Sequence, residues 1–228
     1  MPESGPRERA FELVVFDWDG TISDSLGFIV RSVQYAIEQL GLEARTVSEI
    51  KAIIGLGLEQ AMSTLYPGIT ADKRDCLVTH YREHYLSISA GRIQLYPNIE
   101  RTLQSLLDND YTIAVATGKS RRGLEHAFTD SGLREFFHFS RCADETFSKP
   151  HPQMLEEILD LAMVDASKAL MIGDTEHDLQ MAWNAGVHSV AVTYGAQESD
   201  FLLKFNPLRC FDDLGELPQW LSTVERSG

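Results

Sequence analysis

Short continuous apolar runs alternate with helical patterns along most of the chain. The first run, Leu13-Val14-Val15-Phe16, ends in an acidic, glycine-containing turn, the pattern of a strand buried on both faces. Runs at 112–116, 169–172 and 187–192 repeat it, and 136–142 is a weaker candidate. The helices between them have recognisable starts: Asn98 ahead of one to about Leu107, Ser120 ahead of one to about Ser131, and Pro152 in the first turn of one to about Met163. This alternation predicts an α/β fold with a doubly wound, mostly parallel, Rossmann-like sheet, whose ligands belong beyond the carboxyl ends of the strands. The alternation breaks once. From 24 to 93 there is no convincing strand, and helical patterns occupy 25–40, 58–65 and 71–88. The expected organisation is therefore a catalytic core of residues 1–23 and 94–228 carrying an all-helical cap at 24–93.

Composition narrows the function classes. With 228 residues, 43% hydrophobic and 24% charged, the chain has the make-up of an ordinary globular protein and not of a collagenous, low-complexity or disordered one. Twenty Lys and Arg against 34 Asp and Glu give a net charge of −14, a field that repels nucleic acid and anionic membranes, so neither is expected as a partner. The charge is unevenly spread: residues 24–93 hold eight acids and seven bases, leaving 26 acids and 13 bases in the rest. The acidity belongs to the core. Cys76, Cys142 and Cys210 are odd in number and far apart, which suggests neither a disulfide framework nor a zinc site and fits a reducing cytoplasm. Residues 1–12 read as a polar, frayed tail with no apolar signal segment, and no run of 18 apolar residues occurs, so no export or membrane insertion is expected.

The chemistry gathers at strand ends. Asp17-Trp18-Asp19-Gly20-Thr21 closes the first run; residues two apart in an extended segment share a side, so Asp17 and Asp19 converge, and Gly20 permits the tight turn. Taken alone this is also an ordinary acidic turn. Asp174 and Asp178 follow the run at 169–172 at i, i+4 spacing, and a helix N-terminus that favours acids explains them equally well. Thr117 ends another run, followed by Gly118-Lys119-Ser120, a helix start whose free N–H groups suit a phosphate but which also reads as a plain N-cap. Lys149, held extended by Pro150, is by itself a surface lysine. The set is more specific than its members, because each lies where a βαβ fold places its crevice.

In that order the four segments resemble the motifs of the haloacid dehalogenase-like hydrolase superfamily: Asp17-x-Asp19-Gly20-Thr21, Thr117, Lys149 and Gly173-Asp174-x-x-x-Asp178. The resemblance covers about residues 12–220, includes a helical cap directly after the first motif, and is strongest to phosphoglycolate phosphatases and their relatives. It implies a cytoplasmic, Mg²⁺-dependent phosphatase acting on a small phosphorylated metabolite, with phosphoglycolate the first candidate. By that likeness Asp17 is the nucleophile, Asp19 the general acid and base, Thr117 and Lys149 bind the phosphoryl group, and Asp17, Asp19 through its carbonyl, Asp174 and Asp178 form the metal site, Asp178 as an orienting partner. The second aspartate, Asp19, argues against dehalogenation. A phosphomutase of the same superfamily, or a pyrophosphatase or 5′-nucleotidase-type relative, stands as the alternative. Oligomeric state is left open.

Three features depart from the family's commoner residues: Trp18 and Ile22 where leucine is usual, and Asn98 in place of a glycine. Gly118 and Lys119 are expected at the substrate, as are Gly55 and Gly57, because Ile54-Gly55-Leu56-Gly57-Leu58 resembles the glycine-containing cap segment of phosphoglycolate phosphatases. Arg45 and Lys51 are candidates for a distal anion, competing with an exposed-helix reading, and a cap lysine also serves phosphonate hydrolases as a Schiff base. His80-Tyr81-Arg82-Glu83-His84 matches an inverted zinc-protease signature, but on a polar helix without a third ligand it reads as a surface histidine pair. Hinges are expected at 23–26 and 89–96, where Gly91 gives backbone freedom.

Overall fold

The computed structural model describes residues 9–92 and 94–224. Strands β1 (Leu13–Phe16), β2 (Thr112–Thr117), β3 (Phe139–Cys142), β4 (Ala169–Gly173), β5 (His188–Val192) and β6 (Cys210–Phe211) form one sheet in the order β3-β2-β1-β4-β5-β6, every pair parallel. The sheet is thus wholly parallel, and its sixth strand is two residues long, too short to leave a pattern in sequence. Helices α1 (Leu26–Gln39), α2 (Val47–Ala52), α3 (Leu58–Leu65) and α4 (Ala71–Ser89) separate β1 from α5 (Ile99–Asp108), which leads into β2. The remaining helices are α6 (Arg121–Ser131), α7 (Gln153–Ala162), α8 (Glu176–Asn184), α9 (Ser199–Leu202) and α10 (Leu217–Thr223). Among the described residues no helix is long and apolar enough to cross a membrane.

The apolar runs are continuous because both faces of the sheet are covered. Val14 and Phe16 point into a core shared with Leu103 of α5, Phe128 of α6 and Leu217 of α10, whereas Leu13 and Val15 point into one shared with Leu155 of α7 and Met181 of α8. Helices α1 to α4 bury a cluster of their own, built on Val33, Ile50, Met62 and Leu77. Helix α2 begins at a capping box between Thr46 and Glu49.

The start of the fold differs from the sequence expectation. Residues 1–8 of the expected tail lie outside the described residues, but Phe11 is buried against His188 and Trp220, and the Glu12 N–H donates to the Lys168 carbonyl. A single aromatic residue among charged neighbours gives no periodicity, which is why the run reads as beginning only at Leu13.

Two of the unusual residues have structural reasons. Trp18 is fully buried and meets Phe128 edge-on, with ring centroids 5.3 Å apart. Asn98 stands at the start of α5 at φ 63°, a left-handed conformation in which glycine is unstrained and asparagine is the best-tolerated alternative. Its amide does not cap the helix as expected of an N-cap; it donates to both carboxylate oxygens of Asp213 at 2.8 and 3.0 Å. Asn98→Gly should therefore be nearly neutral, while Asn98→Leu should cost about 1–2 kcal/mol through backbone strain, visible as a lower Tm at unchanged activity; equal Tm values for the two variants would show that φ at this position carries no cost.

Candidate active site

The register of the sheet assembles the site. Phe16 lies opposite Val115 of β2 and Ile172 of β4, so the residues just beyond, Asp17, Thr117 and Asp174, leave three neighbouring strands at one edge. This is the edge at which the chain crosses from one side of β1 to the other, where α/β sheets open a crevice. All three side chains are buried.

Lys149, from the loop between β3 and α7, reaches into this edge. Its Nζ donates to Asp17 Oδ1 at 2.6 Å and to Asp178 Oδ1 at 2.5 Å, and it is fully buried. Burial alone pulls its ammonium down, but the charges of Asp17 and Asp178 outweigh that and hold it above its ordinary value. Asp178 serves two purposes. Its Oδ2 accepts the Thr175 hydroxyl at 2.7 Å and the Thr175 N–H at 3.2 Å, capping α8, while Oδ1 holds the lysine. The helix-terminus reading and the functional reading of this acid both describe its surroundings.

Asp174 accepts the Thr21 hydroxyl at 3.1 Å and the Ala196 N–H at 2.7 Å. Two glycines make room for it: a Cβ on Gly20 would lie 2.1 Å from its Oδ2, and one on Gly195 would lie 2.2 Å from its Cβ. Gly20 also sits at φ +85°, so the turn after Asp19 needs glycine for conformation as well as for space.

Asp17, Asp174 and Asp178 bring carboxylate oxygens within 4.8 Å of one another. At an effective dielectric near 20 each such pair repels by about 3–4 kcal/mol, and one lysine charge faces three carboxylates. Burial, followed by the charges of the neighbouring aspartates, pushes Asp17 up against the opposing pull of Lys149, and burial with Asp178 pushes Asp174 up to about 7. Asp17 Oδ2 is buried without a hydrogen-bond partner. Surplus negative charge, hard oxygen donors and an unsatisfied carboxylate oxygen are together what a divalent cation such as Mg²⁺ requires.

Asp19 stands outside this trio. Ser25 donates its hydroxyl to Oδ1 at 2.5 Å, and the Lys119 ammonium lies 2.9 Å from Oδ2. Lys119 also donates to the Tyr85 hydroxyl at 3.4 Å and lies over that ring. Tyr85 is stacked with Tyr81, both from α4, and burial raises both phenols, which therefore stand as neutral O–H groups near Asp19.

Thr117, Gly118, Lys119 and Lys149 are thus brought to the edge that holds the acids, and the cap candidates Gly55, Gly57 and Arg45 each have close protein neighbours. Gly55 and Gly57 lie against core loops: a Cβ on Gly55 would lie 2.9 Å from Thr175 Oγ1, and one on Gly57 would lie 2.9 Å from the Ala143 Cβ. Arg45 is engaged within the cap, 3.5 Å from Glu43, 3.7 Å from Glu49 and over the Tyr66 ring. The zinc-like signature does not assemble among the described residues. His84 stacks on Tyr35 and bonds Ser32, whereas Tyr81, the second residue of that signature, stacks on Tyr85 within the field of Lys119 and Asp19. Ser25, Tyr81 and Tyr85 were not singled out as site residues in sequence; the i, i+4 spacing of the two tyrosines was the available signal, and it is equally that of core packing.

The sequence model of the haloacid dehalogenase-like hydrolases matches residues 14–192. The chain belongs to that family. Curated relatives of this haloacid dehalogenase-like hydrolase include a protein of Dickeya dadantii named "Probable phosphatase IndB", 32% identical over 90% of this chain and 91% of its own length. A phosphoglycolate phosphatase of Vibrio cholerae is 27% identical over 92% and 96%, and the pyrophosphatase PpaX of Bacillus cereus is 28% identical over 94% and 98%. The fold is also that of a solved Haemophilus somnus structure described as a predicted phosphoglycolate phosphatase, with a TM-score of 0.83 at 24% identity, covering 92% of this chain and 98% of that one.

Proposed function

We propose that this hydrolase is a Mg²⁺-dependent phosphatase of a small phosphorylated metabolite, phosphoglycolate-like, working through an aspartyl-phosphate on Asp17. The carrying observation is the state of the Asp17 carboxylate: one oxygen is fixed by Lys149 and the other is buried with no partner. Asp17, Asp174 and Asp178, with the main-chain carbonyl of Asp19, would hold the cation, which supplies compensation for the charge of carboxylate and phosphate meeting at one place.

The chain's own residues account for the rest. An Asp17 oxygen attacks phosphorus as the ester P–O bond breaks, and Asp19 gives its proton to the departing alkoxide. Asp19 then takes a proton from the water that attacks the aspartyl-phosphate, releasing phosphate and restoring Asp17. Ser25 and Lys119 aim the Asp19 carboxylate, Thr117 offers its hydroxyl to the phosphoryl oxygens, and Lys149 neutralises charge there.

Lys119 supports a leaving group with one anionic group. Lys149 is committed to two carboxylates, so Lys119 is the cation freed on the Asp19 side when that acid is protonated. A single carboxylate on a two-carbon leaving group suits it better than the second phosphate of pyrophosphate, which asks for more positive charge. Lys119→Met should lower kcat on both esters, because it loosens Asp19, and should in addition raise KM at least tenfold for phosphoglycolate but not for p-nitrophenyl phosphate; an equal change of KM on both would remove Lys119 from leaving-group recognition. The function as a whole is tested by a panel of phosphoglycolate, pyrophosphate, nucleoside monophosphates and hexose phosphates with Mg²⁺, quantifying free phosphate. Isomerised ester without released phosphate would make the enzyme a mutase, and preference for pyrophosphate would transfer it to the other named activity. The three unpaired cysteines suit a reducing, cytoplasmic setting, which is part of the same proposal.

A further inference from the structure

One short segment of chain seats the carboxylate of Asp174. Strand β5 ends at Val192, and the Thr193 N–H donates to the Phe211 carbonyl at 3.0 Å, which ties the start of the segment to β6. The Ala196 N–H then donates to Asp174 Oδ2 at 2.7 Å, and Gly195 passes so close to that residue that a Cβ on it would lie 2.2 Å from the Asp174 Cβ. Tyr194 reaches the other oxygen at one remove. Its hydroxyl donates to the Thr21 carbonyl at 2.8 Å, and the Thr21 hydroxyl donates to Asp174 Oδ1 at 3.1 Å. Residues 194–196 thus govern both oxygens of one carboxylate, Oδ2 directly and Oδ1 through the turn that follows Asp19.

Packing does not explain the Tyr194 hydroxyl. The ring lies against Tyr96, with centroids 4.2 Å apart, beside the point where the Tyr96 N–H bonds the Ile22 carbonyl, and a phenylalanine would fill that place equally well. The hydroxyl makes one hydrogen bond among the described residues, to Thr21. Thr21 is fully buried, and no other described group donates to its carbonyl. A buried carbonyl without a partner is costly, so this one depends on the tyrosine. Burial, followed by the charge of Asp174, raises the Tyr194 phenol, which therefore stands as a neutral O–H donor.

We propose that Tyr194 is a positioning residue for the cation site, fixing the Asp174 carboxylate through the Thr21 turn before a divalent cation binds. The inference rests on Asp174 as a metal-holding residue and not on which ester is hydrolysed. A carboxylate fixed in advance gives up little side-chain freedom when the ion arrives, so the contribution of the hydroxyl is read in metal affinity.

Mg²⁺ titration calorimetry on the full chain compares the wild type with Tyr194→Phe, Tyr194→Leu, Thr21→Val and the double variant of Tyr194→Phe with Thr21→Val. Tyr194→Phe should weaken Mg²⁺ binding about threefold to tenfold, the scale of one hydrogen bond behind a metal-holding carboxylate. Its kcat on p-nitrophenyl phosphate should return to within about twofold of wild type once Mg²⁺ is saturating, since the reacting groups are untouched. Tyr194→Leu, which also gives up the contact with Tyr96, should have the lower Tm in EDTA but the same Mg²⁺ affinity as Tyr194→Phe. In the double variant the two losses should not add, because Tyr194 acts through Thr21. Wild-type Mg²⁺ affinity in Tyr194→Phe, an affinity that falls in step with Tm across the two Tyr194 variants, or full additivity with Thr21→Val would each overturn the positioning role. If Thr21→Val does not fold, the two Tyr194 variants decide alone. A wild-type chain that binds Mg²⁺ but hydrolyses no phosphate ester would sink the proposed function while the titrations still decide the role of Tyr194; a wild-type chain that takes up no Mg²⁺ would end both.

Discussion

Asp17→Asn should lower kcat by at least ~10³ on every phosphate ester while leaving the protein folded. The amide matches the carboxylate in size but cannot form the acyl-phosphate, and no other described carboxylate can replace it, since Asp174 and Asp178 are held by Thr21, Ala196, Thr175 and Lys149. Stability should hold or rise, because the substitution removes one of three mutually repelling charges from a fully buried cluster. Asp19→Asn provides the contrast. It should cost a similar factor on alkyl esters but less on p-nitrophenyl phosphate, whose leaving group needs no proton. More than a tenth of wild-type turnover in Asp17→Asn would end the covalent mechanism, and mass spectrometry of acid-quenched enzyme should find the phosphoryl group on Asp17 in the wild type alone.

Removing divalent cations should abolish activity and also destabilise the protein in a pH-dependent way. Asp17 and Asp174 are both pushed above the ordinary carboxylate range in the folded state. The folded protein therefore binds more protons than the unfolded chain between about pH 4 and 7, and without metal its stability should fall as pH rises through that window. A cation that binds the ionised trio opposes this. At a hundredfold excess over its Kd, Mg²⁺ contributes about 2.7 kcal/mol, or roughly 5–10 °C in Tm for a chain of this size. The gain should be larger at pH 8 than at pH 5, where protons compete for the same oxygens. Calorimetry in EDTA and in Mg²⁺ at the two pH values measures it; an equal gain at both would place the cation elsewhere, as would full activity in EDTA. Ca²⁺ should restore turnover poorly, because its looser and higher coordination disturbs the in-line geometry that phosphoryl transfer needs.

Legible in the sequence alone are the sheet strands other than β6, the starts of the main helices, and the acids, hydroxyl and ammonium that stand at the strand ends. These features depend on local rules: a run of apolar residues marks a doubly covered strand, Ser120 caps α6 by accepting the Gly123 N–H, and acids, a hydroxyl and an ammonium at successive strand ends form an ordered signature. What a residue meets across the chain was decided only by tertiary structure. The pairing of Lys149 with Asp17 and Asp178 joins residues 132 and 29 positions apart, and the separation of Asp19 from the carboxylate trio depends on Ser25 and Lys119. Gly55 and Gly57 are substrate candidates through the resemblance of their segment, and their packing against Thr175, Ala143 and Ser148 is visible only in the folded chain. Arg45 shows the same limit, its charge plain in sequence and its partners Glu43, Glu49 and Tyr66 fixed by the packing of the cap. Periodicity records which face of an element is buried; which other element buries it is set by closure of the whole sheet and the seating of the cap upon it.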